Sequence, residues 1–232
     1  MSAFAPTAAA PQLALFDLDG TLLAGDTDVL WCEFLIDEGV LERETFAAAN
    51  ESIADRYARG EIAPAEFASF YAATLAGRSA REWTPIRDRF VAAAIAPRLG
   101  AASFDLVERH RAAGERVVLT TATNRFLTEP IAARLGIADL IATDLELGAA
   151  GEFTGRLSGT VNMRQGKVAR MKAWLAEHGL DDSSLAAATC YSDSINDLPL
   201  LCSAGRAIVV DPDSRLRAEA LRRGWPVISL RD

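Results

Sequence analysis

The chain has 232 residues, half of them apolar, so it can bury the core of one α/β domain with an inserted module, or of two small domains. The formal net charge of −8 at pH 7 would repel the phosphates of nucleic acids and anionic membranes, which excludes both as expected partners. Only two histidines are present and the three cysteines lack metal-ligand spacing, so a histidine or zinc site is short of ligands. The odd number of cysteines, without a CxxC pair, predicts reduced thiols and a cytoplasmic protein.

The start of the chain is predicted to be a loose tail. Residues 1–12 lack the basic region and the continuous apolar stretch of a signal peptide. No later segment has the roughly 20 consecutive apolar residues that are needed to span a bilayer. The first strand candidate follows the tail directly as the apolar run LALFD over residues 13–17, which ends in an acid.

A long stretch without strand candidates separates the first predicted strand from the second. Residues 26–96 hold several helical patterns instead. Breaks between these helices are expected near Gly39, Gly60, Gly77 and Pro85. We therefore predict a helical cap over residues 25–96, inserted into a core that is built from residues 13–24 and 97–232.

Strands and helices alternate through the rest of the chain. The further strand candidates are residues 116–121, 139–143, 186–191, 206–210 and 226–230, and the helical patterns cover 99–113, 124–135, 165–178, 194–203 and 214–223. Four of these helices should stop at Gly114, Gly136, Gly179 and Gly224. Residues 145–160 are rich in Gly and Thr, which predicts a β-hairpin. Continuous apolar strands between amphipathic helices predict an α/β fold, in which a parallel sheet carries helices on both faces.

Polar residues collect where the strands of this predicted sheet end. Asp17 and Asp19 follow the first strand, Thr120 to Thr123 end the second, and Asp193 to Asp197 follow the fourth. Lys167 begins a helix on the same side. In open α/β sheets, ligands bind at the carboxyl ends of the strands. Acidic and basic groups that converge there from separate strands therefore indicate a functional site.

Four segments carry a resemblance to a known family. DLDGTLL (17–23), VVLTTATN (117–124), QGKVARM (165–171) and YSDSINDLPLL (191–201) are similar, in this order, to motifs I to IV of the haloacid-dehalogenase-like (HAD) hydrolase superfamily. The all-helical insert before motif II resembles the C1 cap of the phosphoserine-phosphatase-like branch, subfamily IB. The resemblance covers residues 13–230. It implies a HAD-like Rossmannoid core, an inserted C1 cap and phosphatase activity.

The resemblance assigns the chemistry to three aspartates. Asp17 would attack phosphorus as a carboxylate and carry the phosphoryl group as an aspartyl-phosphate, and Asp19 would act as general acid and base. Because the attacking group and the phosphate are both anions, their charges must be offset. Asp17, the backbone carbonyl of Asp19 and Asp193 would supply the oxygen ligands that Mg²⁺ prefers.

A second group of residues is expected to bind the phosphate or the rest of the substrate. It comprises Thr121, Ala122, Lys167 and Asn196. Thr120 competes with Thr121 for the role of the motif II hydroxyl, and the strand register favours Thr121. Asp197 is expected to contact metal-bound water or Lys167, and not the metal itself.

Two positions bear on the identity of the substrate. In the phosphoserine-phosphatase-like branch a carboxylate after motif I binds the substrate amine, and this position falls on Asp26. The cap arginine that binds the substrate carboxylate is replaced by Ser69, or by Tyr71 or Ala72 if the alignment slips. The segment TATNRF (121–126) and motif IV resemble those of a bacterial sub-branch that includes histidinol-phosphate phosphatases. We therefore expect a small amine-bearing phosphate ester, with histidinol phosphate favoured over phosphoserine, although Asp26 could instead only cap the first cap helix.

Two other classes of protein fit part of this pattern. A phosphomutase or phosphotransferase shares the aspartyl-phosphate, but it needs a cap that excludes water. A non-catalytic metabolite-binding protein has no need of an intact Asp17 and Asp19. Hydrolysis of a generic aryl phosphate in the presence of magnesium would separate a phosphatase from both alternatives. No oligomeric state is predicted.

Overall fold

The computed structural model describes residues 12–231, so the predicted tail lies outside the described residues except for Gln12. Within this range seven strands form one sheet in the order β4-β3-β2-β1-β5-β6-β7. The strands are β1 (Leu13–Phe16), β2 (Arg116–Asn124), β3 (Asp139–Leu147), β4 (Phe153–Ser158), β5 (Thr189–Ser192), β6 (Arg206–Val210) and β7 (Val227–Ile228). Neighbouring strands are parallel except β3 and β4, which pair antiparallel.

The central strand β1 determines where the site lies. It pairs on one side with β2, where Phe16 is opposite Leu119, and on the other side with β5, where Phe16 is opposite Tyr191. All four residues of β1 are fully buried, because Ala14 and Phe16 enter one hydrophobic core and the two leucines enter a second. The carboxyl end of β1 therefore opens between the ends of β2 and β5.

Ten helices accompany the sheet in the described part of the chain. They are α1 (Thr27–Asp37), α2 (Arg43–Ala58), α3 (Pro64–Ala73), α4 (Ala80–Phe90), α5 (Ala101–Ala112), α6 (Arg125–Arg134), α7 (Gln165–Glu177), α8 (Asp182–Ala187), α9 (Leu198–Ser203) and α10 (Ser214–Arg223). Helices α5 and α6 contribute to the core on one face of the sheet, and α7 to α10 to the core on the other. The predicted α/β fold with helices on both faces is confirmed.

Helices α1 to α4 lie between β1 and β2, in the segment that was predicted to be the cap. Trp31 of α1 packs edge-on against Phe90 of α4, with ring centroids 5.1 Å apart. Helix α4 begins at a capping box, in which Ser79 and Glu82 each accept a hydrogen bond from the other's backbone N–H. The predicted break at Pro85 is wrong: Pro85 lies inside α4, where it removes one backbone hydrogen bond from a helix that packing and the capping box stabilise. The division of the chain into a core and a moving cap stays a prediction.

The other predicted elements agree with the structure apart from their ends. The four glycine helix stops are confirmed, since each of these glycines follows a helix and has a positive φ. The strand predicted over 186–191 begins only at Thr189, because the residues before it end the short helix α8. The strand predicted over 226–230 is reduced to Val227–Ile228. The hairpin predicted over 145–160 is confirmed as the antiparallel pair of β3 and β4, and its first strand is the continuation of β3.

No single helix within residues 12–231 is long and apolar enough to cross a membrane. Two helical segments, Ala80–Arg98 and Ala101–Ala112, reach that length and composition only when they are taken together across a bend of 89°.

Candidate active site

The loop after β1 is built around the close approach of Asp193. The backbone N–H of Asp17 donates to the carbonyl of Tyr191 at 3.0 Å, which continues the pairing with β5 by one residue. Gly20 adopts a φ of 76°, and a Cβ at this position would lie 2.1 Å from Asp193 Oδ2, so only glycine leaves room for this carboxylate. Thr21 Oγ1 donates to Asp193 Oδ1 at 2.9 Å. The glycine and threonine of DLDGTLL thus hold Asp193 against the loop that carries Asp17.

Lys167 lies between two carboxylates. Its Nζ is 2.6 Å from Asp17 Oδ1 and 2.5 Å from Asp197 Oδ2, and its side chain is only 2% exposed. Ser192 Oγ also donates to Asp197 Oδ2, at 2.8 Å. Burial by itself lowers the pKa of Lys167, but the two carboxylates hold it above its usual value, so the ammonium stays charged. Burial raises the pKa of Asp17 to about 7, although Lys167 acts in the opposite direction.

Asp19 is held by donors from the start of α1 and from the end of β2. Its Oδ1 accepts from the backbone N–H of Thr27 at 2.7 Å and from the hydroxyl of the same residue. Its Oδ2 accepts from Thr123 Oγ1 at 3.0 Å and from Thr121 Oγ1 at 3.3 Å. Burial raises the pKa of Asp19 to about 6, and the charge of Asp26 adds to the shift. This carboxyl group is therefore fixed in position, and its pKa lies close to neutrality.

Asp26 is the N-cap of α1. Its Oδ1 accepts the backbone N–H of Val29 at 3.0 Å, so the capping role considered from the sequence describes its geometry. Burial raises the pKa of Asp26 to about 6. Hydrogen bonds from the backbones of Val29 and Asp28 act in the opposite direction, and the charge of Asp17 adds to the increase. Asp26 therefore lies near the site, while one of its oxygens is used by the helix.

The sequence reasoning missed Asp28, which is 2% exposed. Its Oδ2 lies 2.9 Å from Thr123 Oγ1, so it contacts the hydroxyl that also bonds to Asp19. A signal for it was present, because Asp28 precedes Trp31 and Cys32 by three and four residues and so falls on the buried face of α1. Because this face is buried, contact with solvent does not explain an aspartate there, and its carboxyl group needs a partner in the protein.

A second missed residue, Arg164, joins the core to the cap. Its backbone has a φ of 52°, Nε donates to Asn196 Oδ1 at 3.0 Å, and Nη2 donates to the carbonyl of Gly60 at 3.0 Å. Ser69, which was predicted to replace the cap arginine, is exposed on α3. A search for an arginine inside the cap could not find Arg164, because it belongs to the segment just before α7.

The structure brings most of the predicted site residues into one network. The members that are joined to each other by contacts or through their charges are Asp17, Asp19, Asp26, Thr121, Lys167, Asp193 and Asp197. Asn196 lies at the border of the cap through its bond with Arg164. Ala122 is half-buried and packs against an apolar cluster of the cap that includes Phe67 and Tyr71.

The donor set fits a hard divalent cation. Among residues 12–231 no three acidic, histidine or cysteine side chains converge as a metal cluster, and the predicted set needs only two side chains, Asp17 and Asp193, with the carbonyl of Asp19. Burial raises the pKa of Asp193 well above its usual value, and the charge of Asp17 adds to this shift. The two carboxylates thus repel each other, and a cation such as Mg²⁺, which prefers oxygen ligands, would remove that repulsion.

The sequence model of the haloacid dehalogenase-like hydrolases matches residues 14–201. The chain belongs to this hydrolase family, and within it to the phosphatases. A histidinol-phosphatase of Neisseria meningitidis is 36% identical over 220 residues, which are 95% of this chain and 99% of that protein. A phosphoserine phosphatase of Mycobacterium tuberculosis is 31% identical over 228 residues, which are 94% of this chain and 70% of that protein.

Solved structures share the fold of this chain. A protein of unknown function from Bordetella pertussis superposes with a TM-score of 0.88 at 41% identity, over 95% of this chain and 99% of that one. A substrate-bound phosphoserine phosphatase superposes with a TM-score of 0.70 at 18% identity, over 97% and 96% of the two chains, and so shares the fold. The family and the phosphatase class predicted from the motifs are confirmed, whereas the roles of the site residues stay predictions.

Proposed function

We propose that this phosphatase hydrolyses a small amine-bearing phosphate monoester, with histidinol phosphate favoured, through an aspartyl-phosphate on Asp17 and with Mg²⁺ as cofactor. The observation that carries the proposal is the buried contact of Lys167 with Asp17 and Asp197 at the end of the central strand. The proposal places the enzyme in the cytoplasm, where free thiols such as Cys32 and Cys190 stay reduced.

Transfer of the phosphoryl group to the enzyme begins with Asp17. Its Oδ2, the oxygen that is not bonded to Lys167, attacks phosphorus while the bond from phosphorus to the leaving oxygen breaks. Asp19 in its protonated form gives its proton to the leaving oxygen. Because the pKa of Asp19 is about 6, both of its protonation states are accessible near neutral pH.

Hydrolysis of the aspartyl-phosphate reverses the role of Asp19. Asp19 takes a proton from water, the water oxygen attacks phosphorus, and the bond from phosphorus to Asp17 breaks to release inorganic phosphate. Lys167 and Thr121 would hold the phosphoryl oxygens, and the hydroxyl of Thr121 can turn to them because its contact with Asp19 is a long one, 3.3 Å. When bound by Asp17, Asp193 and the carbonyl of Asp19, Mg²⁺ would supply the positive charge that offsets the repulsion between carboxylate and phosphate.

The charges near the cap support an amine-bearing substrate. The pKa of Asp26 is raised to about 6 by burial and by the charge of Asp17, and a substrate ammonium would stabilise its ionised form. The guanidinium of Arg164 is already bonded to Asn196 and Gly60, so it would have to leave these partners to bind a substrate carboxylate. The similarity to a histidinol-phosphatase supports the favoured substrate, and the similarity to a phosphoserine phosphatase supports the alternative.

The proposal is tested by measuring phosphate release, with Mg²⁺, from three esters: histidinol phosphate, phosphoserine and an aryl phosphate whose aryl group is uncharged. We expect kcat/KM for histidinol phosphate to exceed that for phosphoserine by at least about tenfold, or about 1.4 kcal/mol of transition-state binding. Asp17→Asn is the control, because it removes the nucleophile and nearly keeps its shape. No release from any of the three esters contradicts the reaction, and a preference for phosphoserine contradicts the substrate.

A further inference from the structure

The hydroxyl of Thr123 lies between two buried carboxyl groups. Thr123 Oγ1 is 3.0 Å from Asp19 Oδ2 and 2.9 Å from Asp28 Oδ2. Thr123 and Asp28 are each 2% exposed, so bulk water does not separate the three groups. Both contacts have the length of a hydrogen bond between oxygens.

The number of hydrogens decides what these contacts can be. A threonine hydroxyl has one hydrogen to donate, whereas an ionised carboxylate can only accept. If Asp19 and Asp28 were both ionised, one of the two contacts would place lone pairs against each other without a hydrogen between them. One of the two carboxyl groups must therefore carry a proton and donate it to Thr123 Oγ1.

The surroundings decide which carboxyl group carries that proton. Asp19 receives the N–H and hydroxyl of Thr27 in addition to the threonines of β2, and such donors stabilise the ionised form. Within residues 12–231, Oδ1 of Asp28 is buried and has no hydrogen-bond partner. Burial raises the pKa of Asp28 well above its usual value, and the charges of Asp26 and Asp19 add to the shift. An unpaired buried charge on Asp28 would be strongly disfavoured.

Within residues 12–231, the charged groups that act on the pKa of Asp28 are both acidic: Asp26, the N-cap of its helix, and Asp19 on the loop after β1. Asp28 in turn acts on the pKa of Cys32 in α1 and of Tyr71 in α3. Burial raises the pKa of both Cys32 and Tyr71, so these two are neutral at pH 7.

We propose that Asp28 is a neutral carboxylic acid that donates to Thr123 Oγ1, and that Thr123 in turn donates to Asp19, which makes Asp28 a positioning residue for the general acid and base. The chain of donors runs in one direction, from Asp28 through Thr123 to Asp19. It keeps Oδ2 of Asp19 in place without adding a second negative charge beside it. The catalytic part of this inference rests on the proposed function, whereas the protonation of Asp28 does not.

Infrared difference spectroscopy tests the protonation directly and needs no activity. The spectrum of the full-length protein at pH 7, without metal or substrate, is compared with that of Asp28→Asn, which has nearly the same shape. We expect the wild type to show a carbonyl band of a protonated carboxylic acid that shifts in D₂O and is lost in Asp28→Asn. Asp144→Asn is the control, because hydrogen bonds from Arg170 and Arg125 outweigh partial burial and lower the pKa of Asp144, so the band should persist. A wild-type spectrum that loses no such band in Asp28→Asn overturns the proposal.

The leaving group separates a positioning role from a merely structural one. An alkyl phosphate needs a proton from Asp19 when its bond breaks, whereas a nitrophenyl phosphate leaves as a stable anion and does not. We expect Asp28→Leu to lower kcat/KM for the alkyl ester by about tenfold or more relative to the nitrophenyl ester, within the range of general acid catalysis. Asp28→Asn keeps an N–H donor for Thr123 and should restore the wild-type ratio. Equal losses on both esters in Asp28→Leu, or no restoration by asparagine, overturn the positioning role.

Discussion

At the scale of single residues, Asp26 combines two roles that one substitution can separate. Asparagine caps helices about as well as aspartate does, so Asp26→Asn removes the charge and keeps the hydrogen bond to Val29. We predict that kcat/KM falls about tenfold for amine-bearing phosphates, the cost of about 1.4 kcal/mol, and is unchanged for a neutral aryl phosphate. Steady-state kinetics on both substrates measure this. Equal effects on both kinds of substrate would mean that Asp26 only caps α1. The matched comparison is Asp26→Ala, which also loses the N-cap hydrogen bond and with it about 1 kcal/mol of stability.

The sequence predicts the residues that follow strands more readily than those that face the site from helices. Asp17, Asp19 and Asp193 could be placed because each follows a recognisable apolar strand within a motif, and the ends of parallel strands meet at one edge. The pattern of α1 places Asp28 on a buried face, but the contacts of Asp28 and Arg164 could not be predicted, because they depend on how α1 and the segment before α7 lie against β2 and the cap. Such contacts arise from tertiary packing, and the sequence pattern of a single element does not contain them.

At the scale of elements, the carboxyl end of α2 is fastened to the core. Near the end of α2, the carbonyl of Tyr57 accepts a hydrogen bond from Asn196 Nδ2 at 3.5 Å. Just after the helix, the carbonyl of Arg59 accepts from Arg215 Nη1 at 2.6 Å, and the carbonyl of Gly60 accepts from Arg164. Cationic donors stabilise the carbonyls at this end of a helix. Asp17 is only 7% exposed in this arrangement, and we therefore predict that the cap moves away before substrate reaches it.

We predict that Arg215→Ala loosens this attachment. Hydrogen exchange of the backbone amides at the end of α2, residues 57–61, should become faster, because the bond to the carbonyl of Arg59 is lost and the cap opens more often. Because Arg215 lies outside the proposed chemistry, the change should act on the binding of substrate and so shift KM. Arg222→Ala is the control on the same helix, because Arg222 pairs with Glu219 and not with the cap. Identical exchange rates in the two variants would contradict the prediction.

Helices and strands were predicted well where a local sequence pattern determines them, and less well where tertiary packing does. Long apolar strands and helices with glycine stops were predicted correctly, since their local patterns and their packing agree. Helix α8 was missed because it has only six residues, too few for a periodic pattern. The break at Pro85 was predicted from local preference alone, and the packing of Trp31 against Phe90 at the end of α4 favours the unbroken helix.

At the scale of the whole molecule, the buried acids couple stability to pH and metal. An ordinary aspartate has a pKa of 3.8, and burial raises that of Asp17 to about 7 and that of Asp19 to about 6. Between the ordinary pKa of 3.8 and the raised values of about 6 and about 7, the folded state therefore holds more protons than the unfolded state. Without metal, these groups lower the free energy of unfolding as pH rises through that range. Under the proposed function, Mg²⁺ would bind the ionised carboxylates in competition with these protons, so the stability that it adds should grow as pH rises through the raised pKa values.

We predict that the increase in Tm caused by Mg²⁺ becomes larger from about pH 5 to about pH 8, the range over which Asp19 and then Asp17 lose their protons. Thermal unfolding with and without Mg²⁺ at a series of pH values measures it. Asp193→Asn should abolish most of the increase, because it removes a proposed ligand. An increase that is constant or that shrinks with rising pH would argue against metal binding at these carboxylates.

The most direct test of the central claim, that Asp17 carries the phosphoryl group, is to trap the intermediate. The protein is mixed with Mg²⁺ and a rapidly transferred aryl phosphate, quenched in acid within the first turnover and digested for mass spectrometry. We predict one added phosphoryl group on the peptide that contains Asp17, no adduct in Asp17→Asn, and a loss of turnover of several orders of magnitude in that variant, because phosphate monoesters are among the slowest compounds to hydrolyse uncatalysed. An adduct on another residue, or appreciable turnover by Asp17→Asn, would contradict the assignment.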